Sequence, residues 1–249
     1  MSTKGVADVV FCIDASESMA PCLNAVRKHL TDFLAGLKSH TQQTWDLRVD
    51  FVAHRAGQSS GGIVFQMRSL YEKDLLGVQY LDRSRQGRFF TQDMAEFSRG
   101  LQQVEVGGDE APLVALDFCL DFPWREAVSC HRVVIMLTDE PFETSVGREF
   151  QQAQLQKLIE KIHALRVMLF LVAPDSAVFS QLAAADRSEY EVVDVTGDGL
   201  ARVNFAQVLN NIGKSISVST QQAPRGPSVE RGLYEQATWG RSDERVTGR

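Results

Sequence analysis

Short β-rich runs recur along the chain, at residues 9–13, 47–53, 133–137, 167–172 and 191–195, and several are apolar at nearly every position. Alternating polar and apolar residues would mark a strand with one face in water, whereas continuous runs suit parallel strands covered on both faces. Between the runs, Leu23, Val26, Leu30, Phe33, Leu34 and Leu37 share one face at a 3.6-residue spacing. So do Phe150, Leu155, Leu158, Ile159, Ile162 and Leu165, and, later, Phe205, Val208, Leu209, Ile212 and Ile216. Strand and amphipathic helix in alternation predict an α/β fold with a mostly parallel, doubly wound sheet between helical layers. Residues 57–62 are too few for a crossover, so 47–53 and 63–70 are expected to form a hairpin, giving one antiparallel edge strand. Residues 71–90 have mixed charge and no period, which predicts a surface excursion without regular structure.

From about residue 220 the periodicity ends. Pro224, Gly226 and Pro227 precede isolated Leu233, Tyr234 and Trp239, so the chain reads as one domain over residues 1–219 and a flexible or docking tail over 220–249. A chain of 249 residues with 44% hydrophobic content is long enough to bury about three quarters of its unfolded surface around one core. The formal net charge of −6, with no basic patch, argues against nucleic acid as a partner. No apolar stretch reaches the length of a membrane span, and no signal peptide is evident. Cys12, Cys22, Cys119 and Cys130 show neither metal-ligand spacing nor a dense disulfide pattern. Together these features predict a cytoplasmic protein with reduced cysteines and no membrane partner.

The chemistry of the chain concentrates at predicted strand ends. Asp14-Ala15-Ser16-Glu17-Ser18 follows the run 9–13 directly. In an extended segment alternate residues point the same way, so Asp14, Ser16 and Ser18 can converge as one carboxylate and two hydroxyls. That donor set suits Mg²⁺, which takes about six oxygen ligands and keeps several of its waters. The same residue types also cap helices, and a cap is the competing reading. Thr138-Asp139-Glu140 closes the run 133–137, placing a second carboxylate at a strand terminus, where doubly wound sheets bind ligands. Gly107-Gly108-Asp109-Glu110-Ala111-Pro112 is a glycine-softened turn into a helix, and it can bring a third group to the same rim.

These three segments resemble those of von Willebrand factor A (vWA) domains, which build a metal-ion-dependent adhesion site (MIDAS) from a D-x-S-x-S loop, a threonine loop and a later aspartate. The resemblance runs over residues 6–217. Asp14 to Ser18 matches the first motif completely, Thr138-Asp139-Glu140 matches the third, and the stretch from Gly107 to Leu116 is similar to the second loop in its bacterial-type form. Val52-Ala53-His54-Arg55 resembles the strand end that borders the metal in bacterial members. The family implies a Rossmann-like three-layer α/β/α sandwich and a binding role rather than catalysis. It implies Mg²⁺, with Mn²⁺ or Ca²⁺ as alternatives, held by Asp14, Ser16, Ser18, Asp109 and Asp139. It also implies a protein partner whose Asp or Glu completes the metal shell, and in bacteria such a partner is often a MoxR-type AAA+ ATPase or a stress and defence assembly.

One position departs from the pattern. Where family members place a metal-facing threonine, this chain has Asp109 with Glu110 beside it, and the sequence leaves open which acid takes the place. An added carboxylate is expected to tighten cation binding and to weaken the pull on an anionic ligand. The competing functions are a Mg²⁺-dependent hydrolase or phosphoryl-transfer enzyme, with His54 or His131 as base, and a scaffold that uses no metal. The enzyme reading lacks a second aspartate two residues after Asp14, where Ser16 stands, and lacks both a phosphate-binding glycine loop and a nucleophile elbow.

Overall fold

The computed structural model describes residues 5–20, 23–24, 26–29, 45–56, 62–68, 70–74, 79–81, 89–185 and 187–194, and the single positions 207, 211 and 213. Eight strands form one sheet: β1 (Gly5–Asp14), β2 (Trp45–Ala56), β3 (Gly62–Gln66), β4 (Leu70–Asp74), β5 (Gln79–Leu81), β6 (His131–Leu137), β7 (Val167–Ala173) and β8 (Ser188–Val192). Their order across the sheet is β5-β4-β3-β2-β1-β6-β7-β8. The run from β2 through β1, β6 and β7 to β8 is parallel, while β3, β4 and β5 pair antiparallel. The expected α/β architecture is present. Its antiparallel edge begins with the predicted β2–β3 hairpin and continues through β4 and β5, so part of residues 71–90 is strand rather than loop.

Continuous apolar composition explains the centre of the sheet. Every residue of β7 is buried, and in β1 all but Val6 are. Successive side chains of a strand point to opposite faces, and helices cover both. Phe11 rests on Phe97 of α1 (Met94–Gln102), ring centroids 5.9 Å apart, and Phe51, level with Phe11 on β2, meets the same ring at 5.7 Å. Cys12 points the other way, toward Cys119 of α2 (Pro112–Leu120). Proline at its first position suits the start of α2. Eight of its nine residues are buried, as expected for a helix that is apolar all round. Asp93 caps α1 by accepting from the Ala95 and Glu96 amides.

The predicted face from Phe150 to Leu165 is divided between α3 (Arg148–Ala153) and α4 (Leu155–Leu165). Leu155, Leu158, Ile162 and Leu165 are buried, but Phe150 is 43% exposed because it belongs to the separate short helix. The last predicted strand lies three residues earlier than expected, at Ser188–Val192, and is followed by no further described strand. It receives its cover from α5 (Ala177–Ala183), which packs on β7 and β8. The tail at 220–249, most of the 23–37 helix pattern and most of the 205–216 pattern lie outside the described residues.

At the amino ends of the central strands, Asp8 is fully buried and accepts from Arg48 Nε and Nη2 at 2.8 and 2.6 Å. It also accepts from Arg125 Nε at 2.8 Å and from the Arg125 amide at 2.9 Å. This ion pair ties β1, β2 and the segment before β6 together at the end of the sheet remote from Asp14. Among the described residues no helix is long and apolar enough to cross a membrane.

Candidate metal centre

Strand order reverses at β1, which leads to β2 on one side and is flanked by β6 on the other. The crevice outside the carboxyl ends of the strands at such a reversal is where this class of sheet binds ligands. Asp14 ends β1 and Thr138-Asp139 follows β6, so the topology puts the two predicted carboxylates on adjacent strands at the switch point. Ile13 pairs with Leu137 in register, which sets Asp14 level with Thr138.

The side chains meet. Thr138 Oγ1 donates to Asp14 Oδ2 at 2.8 Å, and the Ser16 amide donates to Asp14 Oδ1 at 2.7 Å. Ser18 Oγ donates to Asp139 Oδ1 at 3.1 Å, and the Ser16 and Ser18 hydroxyls lie 3.1 Å apart. Asp14 is fully buried and Ser16 and Asp139 are nearly so, whereas Ser18 is exposed and opens the cluster to solvent. The capping alternative does not describe Ser16, because its hydroxyl makes no cap bond to the short 3₁₀ turn Glu17–Met19. The hydroxyl of Thr138 is the site residue that spacing alone does not reveal. Its role depends on the β1–β6 register.

The second loop reaches the same rim by backbone bonds. The Gly107 amide donates to the Ala15 carbonyl at 2.9 Å, and Asp109 exchanges both backbone bonds with Ala56 at the end of β2, at 2.6 and 3.1 Å. Gly108 has φ +72°, and a Cβ there would stand 2.2 Å from the Ala56 carbonyl oxygen, so this approach requires glycine. Asp109 is half-buried and enters the rim through its backbone. Glu110 is the acid turned inward: it is 5% exposed, and its carbonyl accepts from the Val146 amide at 3.0 Å.

The electrostatics mark a gathering of like charge. Burial, then the charge of Asp14, push Asp139 up to about 6, although the Ser18 hydrogen bond opposes the rise. Burial, then Asp14 and then Glu140, push Glu110 up to about 7. His54, opposite Asp14 on β2, is fully buried beside the Cys12 thiol. Burial favours its neutral form, but the nearby Cys12 thiol and the charges of Asp14 and Glu110 outweigh this and raise it. His131 begins β6 rather than ending it, so the length of a seven-residue strand, roughly 20 Å, separates it from Asp139.

Among the described residues no three His, Cys, Asp or Glu side chains are arranged to hold an ion by themselves. The donors that do converge are two carboxylates and two hydroxyls, Asp14, Asp139, Ser16 and Ser18. They are all hard oxygen donors, as Mg²⁺ requires, and they number too few to exclude water or an outside ligand. Asp139 and Glu110, each raised by burial and then by the charge of Asp14, are a second mark of a cation site, because a cation relieves the repulsion. The residues present therefore fit a divalent ion.

No family model and no curated protein matches the chain. A solved structure described as von Willebrand factor type A from Catenulispora acidiphila superposes with a TM-score of 0.53 at 16% identity, covering 85% of this chain and 43% of that one. The chain thus spans less than half the length of that protein. At this identity the likeness is one of fold: the chain has the Rossmann-like α/β fold of a vWA domain.

Proposed function

We propose that the chain is a divalent-metal-dependent protein-binding module, with Asp14, Ser16, Ser18 and Asp139 as the residues that hold Mg²⁺, or Mn²⁺ or Ca²⁺ in its place. The observation that carries this reading is the hydrogen-bonded chain from the Asp14 carboxylate through the Ser16 amide, the Ser16 and Ser18 hydroxyls and on to the Asp139 carboxylate, drawn from the ends of two strands far apart in sequence. When bound, the ion supplies positive charge and an exchangeable coordination position at a partly desolvated surface. Thr138 fixes the orientation of the Asp14 carboxylate, and Ser18 stands at the exposed margin where a partner's Asp or Glu would arrive. No nucleophile or general base is assigned, and the reading is one of binding without turnover. A MoxR-type AAA+ ATPase, or a bacterial stress or defence assembly, is the partner class proposed from the sequence resemblance alone.

Thermal melting with and without Mg²⁺ tests the site directly. A ligand at 100 times its Kd that binds only the folded state adds about 2.7 kcal/mol. The parent should therefore melt higher in Mg²⁺, and Asp14→Ala should not. Pull-downs with the parent in Mg²⁺, the parent in chelator and Asp14→Ala should recover a shared partner only in the first. An unshifted parent, or an equal shift in the variant, would refute the proposal.

A further inference from the structure

We infer that Glu110 sets the charge of the metal centre: standing outside the ligand shell, its carboxylate strengthens cation binding and weakens the loaded site's hold on an anionic ligand. The inference rests on the metal-binding reading above and goes beyond it by assigning a residue that decides how the site divides its affinity between metal and partner.

The placement comes first. Of the two adjacent acids, Asp109 is bound through its backbone to Ala56, and in extended backbone the next side chain turns to the opposite side. Glu110 is thereby directed inward, and three features hold it there: the Asp109–Ala56 bridge before it, the Val146 amide on its own carbonyl, and the start of α2 at Pro112 two residues later. Its carboxyl is buried and lies within the field of Asp14, Glu140 and His54. Among the described residues it forms no three-acid group with Asp14 and Asp139.

His54 supplies a separate observation. It stands opposite Asp14 on β2, fully buried beside the Cys12 thiol, and it lies within the field of both Asp14 and Glu110, so the two acids share one side of the sheet end. The same picture explains why an acid is tolerated behind Asp14. Three carboxylates, Asp14, Glu110 and Asp139, outweigh the two charges of the ion, so the loaded centre is not left cationic. A carboxylate arriving from a partner is then drawn less strongly than it would be to a centre with one acid fewer.

The test uses the whole chain and two probes, Mn²⁺ alone and then acetate added to the Mn²⁺-saturated protein. Calorimetry reads the first, and water-proton relaxation by the bound Mn²⁺ reads the second. Glu110→Gln should weaken Mn²⁺ binding on the order of tenfold to a hundredfold and tighten acetate several-fold. Glu110→Thr should do the same, and Asp109→Asn should leave both within about twofold. Metal-free melting of each variant establishes that it is folded. The inference is overturned if Glu110→Gln leaves Mn²⁺ affinity unchanged, if both affinities fall together, if acetate does not distinguish it from the parent, or if Asp109→Asn has the larger effect. A parent that binds no Mn²⁺ fails the metal-binding reading itself, whereas a parent that binds it with Glu110 indifferent fails only this inference.

Discussion

Replacing Asp139 by asparagine should stabilise the metal-free protein at neutral pH, although it removes a proposed ligand. In the unfolded chain this group releases its proton near 3.8, but burial and the charge of Asp14 raise the folded value to about 6. Between these two values the folded protein binds more protons than the unfolded one, so stability falls as pH rises through that window. The full loss is present above the folded value. At about 1.4 kcal/mol per pKa unit it amounts to about 3 kcal/mol. Asparagine keeps the shape and can still accept from Ser18, and the stronger bond that the charged form makes to Ser18 is already included in the raised value. Asp139→Asn should thus gain about 3 kcal/mol in chelator at pH 8, which for a domain of this size is a rise in Tm of roughly 6–12 °C. Urea denaturation of parent and variant at pH 4, 6 and 8 measures the difference, and terms common to the two proteins cancel. The gain should shrink to about 0.5 kcal/mol at pH 4, where the folded Asp139 is protonated and the unfolded one is only about half ionised. With Mg²⁺ at about 1,000 times its Kd at pH 8 the order should invert, because the parent alone then gains about 4.1 kcal/mol by mass action. Equal stability at pH 8 without metal, or a gain of the same size at pH 4, would refute the argument that like charge is held at this rim.

Asp8→Ala should destabilise the protein by about 3–5 kcal/mol in urea titrations, because it strands Arg48 and Arg125 at a buried pair, while Mg²⁺ affinity in the folded fraction stays within twofold. Gly108→Ala forces a Cβ against the Ala56 carbonyl at positive φ, so it should cost at least about 1–3 kcal/mol in melting experiments and weaken Mg²⁺ binding by displacing the second loop. Thr138→Val leaves a buried Asp14 oxygen without its donor, and should cost about 1–3 kcal/mol with a several-fold loss of Mg²⁺ affinity by calorimetry.

The parallel centre of the sheet is legible in the sequence because residues buried on both faces leave no alternation to misread. The edges are less so. Strand β8 has an intermediate and exposed burial pattern, and its position is set by backbone pairing of Leu169 with Ser188 through Ala173 with Val192 rather than by an apolar run. Helix α1 is short but amphipathic, burying Phe97 and Leu101 on one face, and Asp93 followed three residues later by Glu96 is a capping signal that announces it. The break at Gln154 between α3 and α4 is invisible to a pattern that carries Phe150 onto the same face as Leu155. At the rim, Asp14, Ser16, Ser18 and Asp139 are readable because each stands at a fixed offset from a strand end. Asp109 and Glu110 are not distinguishable by offset, since adjacent residues differ only in which side of the backbone they occupy, and that side is decided by the bridge to Ala56.

The loops of the rim are joined to one another rather than only to their own strands. The Ala15 amide donates to the His54 carbonyl at 2.8 Å, the Gly107 amide to Ala15, the Ala56 amide to Asp109, and the Val146 amide to Glu110. These four bonds link the end of β1 to the end of β2, both of these to the second loop, and the second loop to the segment after β6. The loop carrying Glu110 runs directly into α2, which packs on β1, β2 and β6 and against α3 and α4. A core packed to crystal density transmits a displacement rather than absorbing it. Relief of the repulsion between Asp14, Glu110 and Asp139 therefore acts on one connected frame, in which the acids cannot separate without moving α2 against the sheet. The backbone bonds fix the loops in position, so under the proposed metal-binding reading the cost of gathering the acids would be relieved by a cation rather than by movement of the loops.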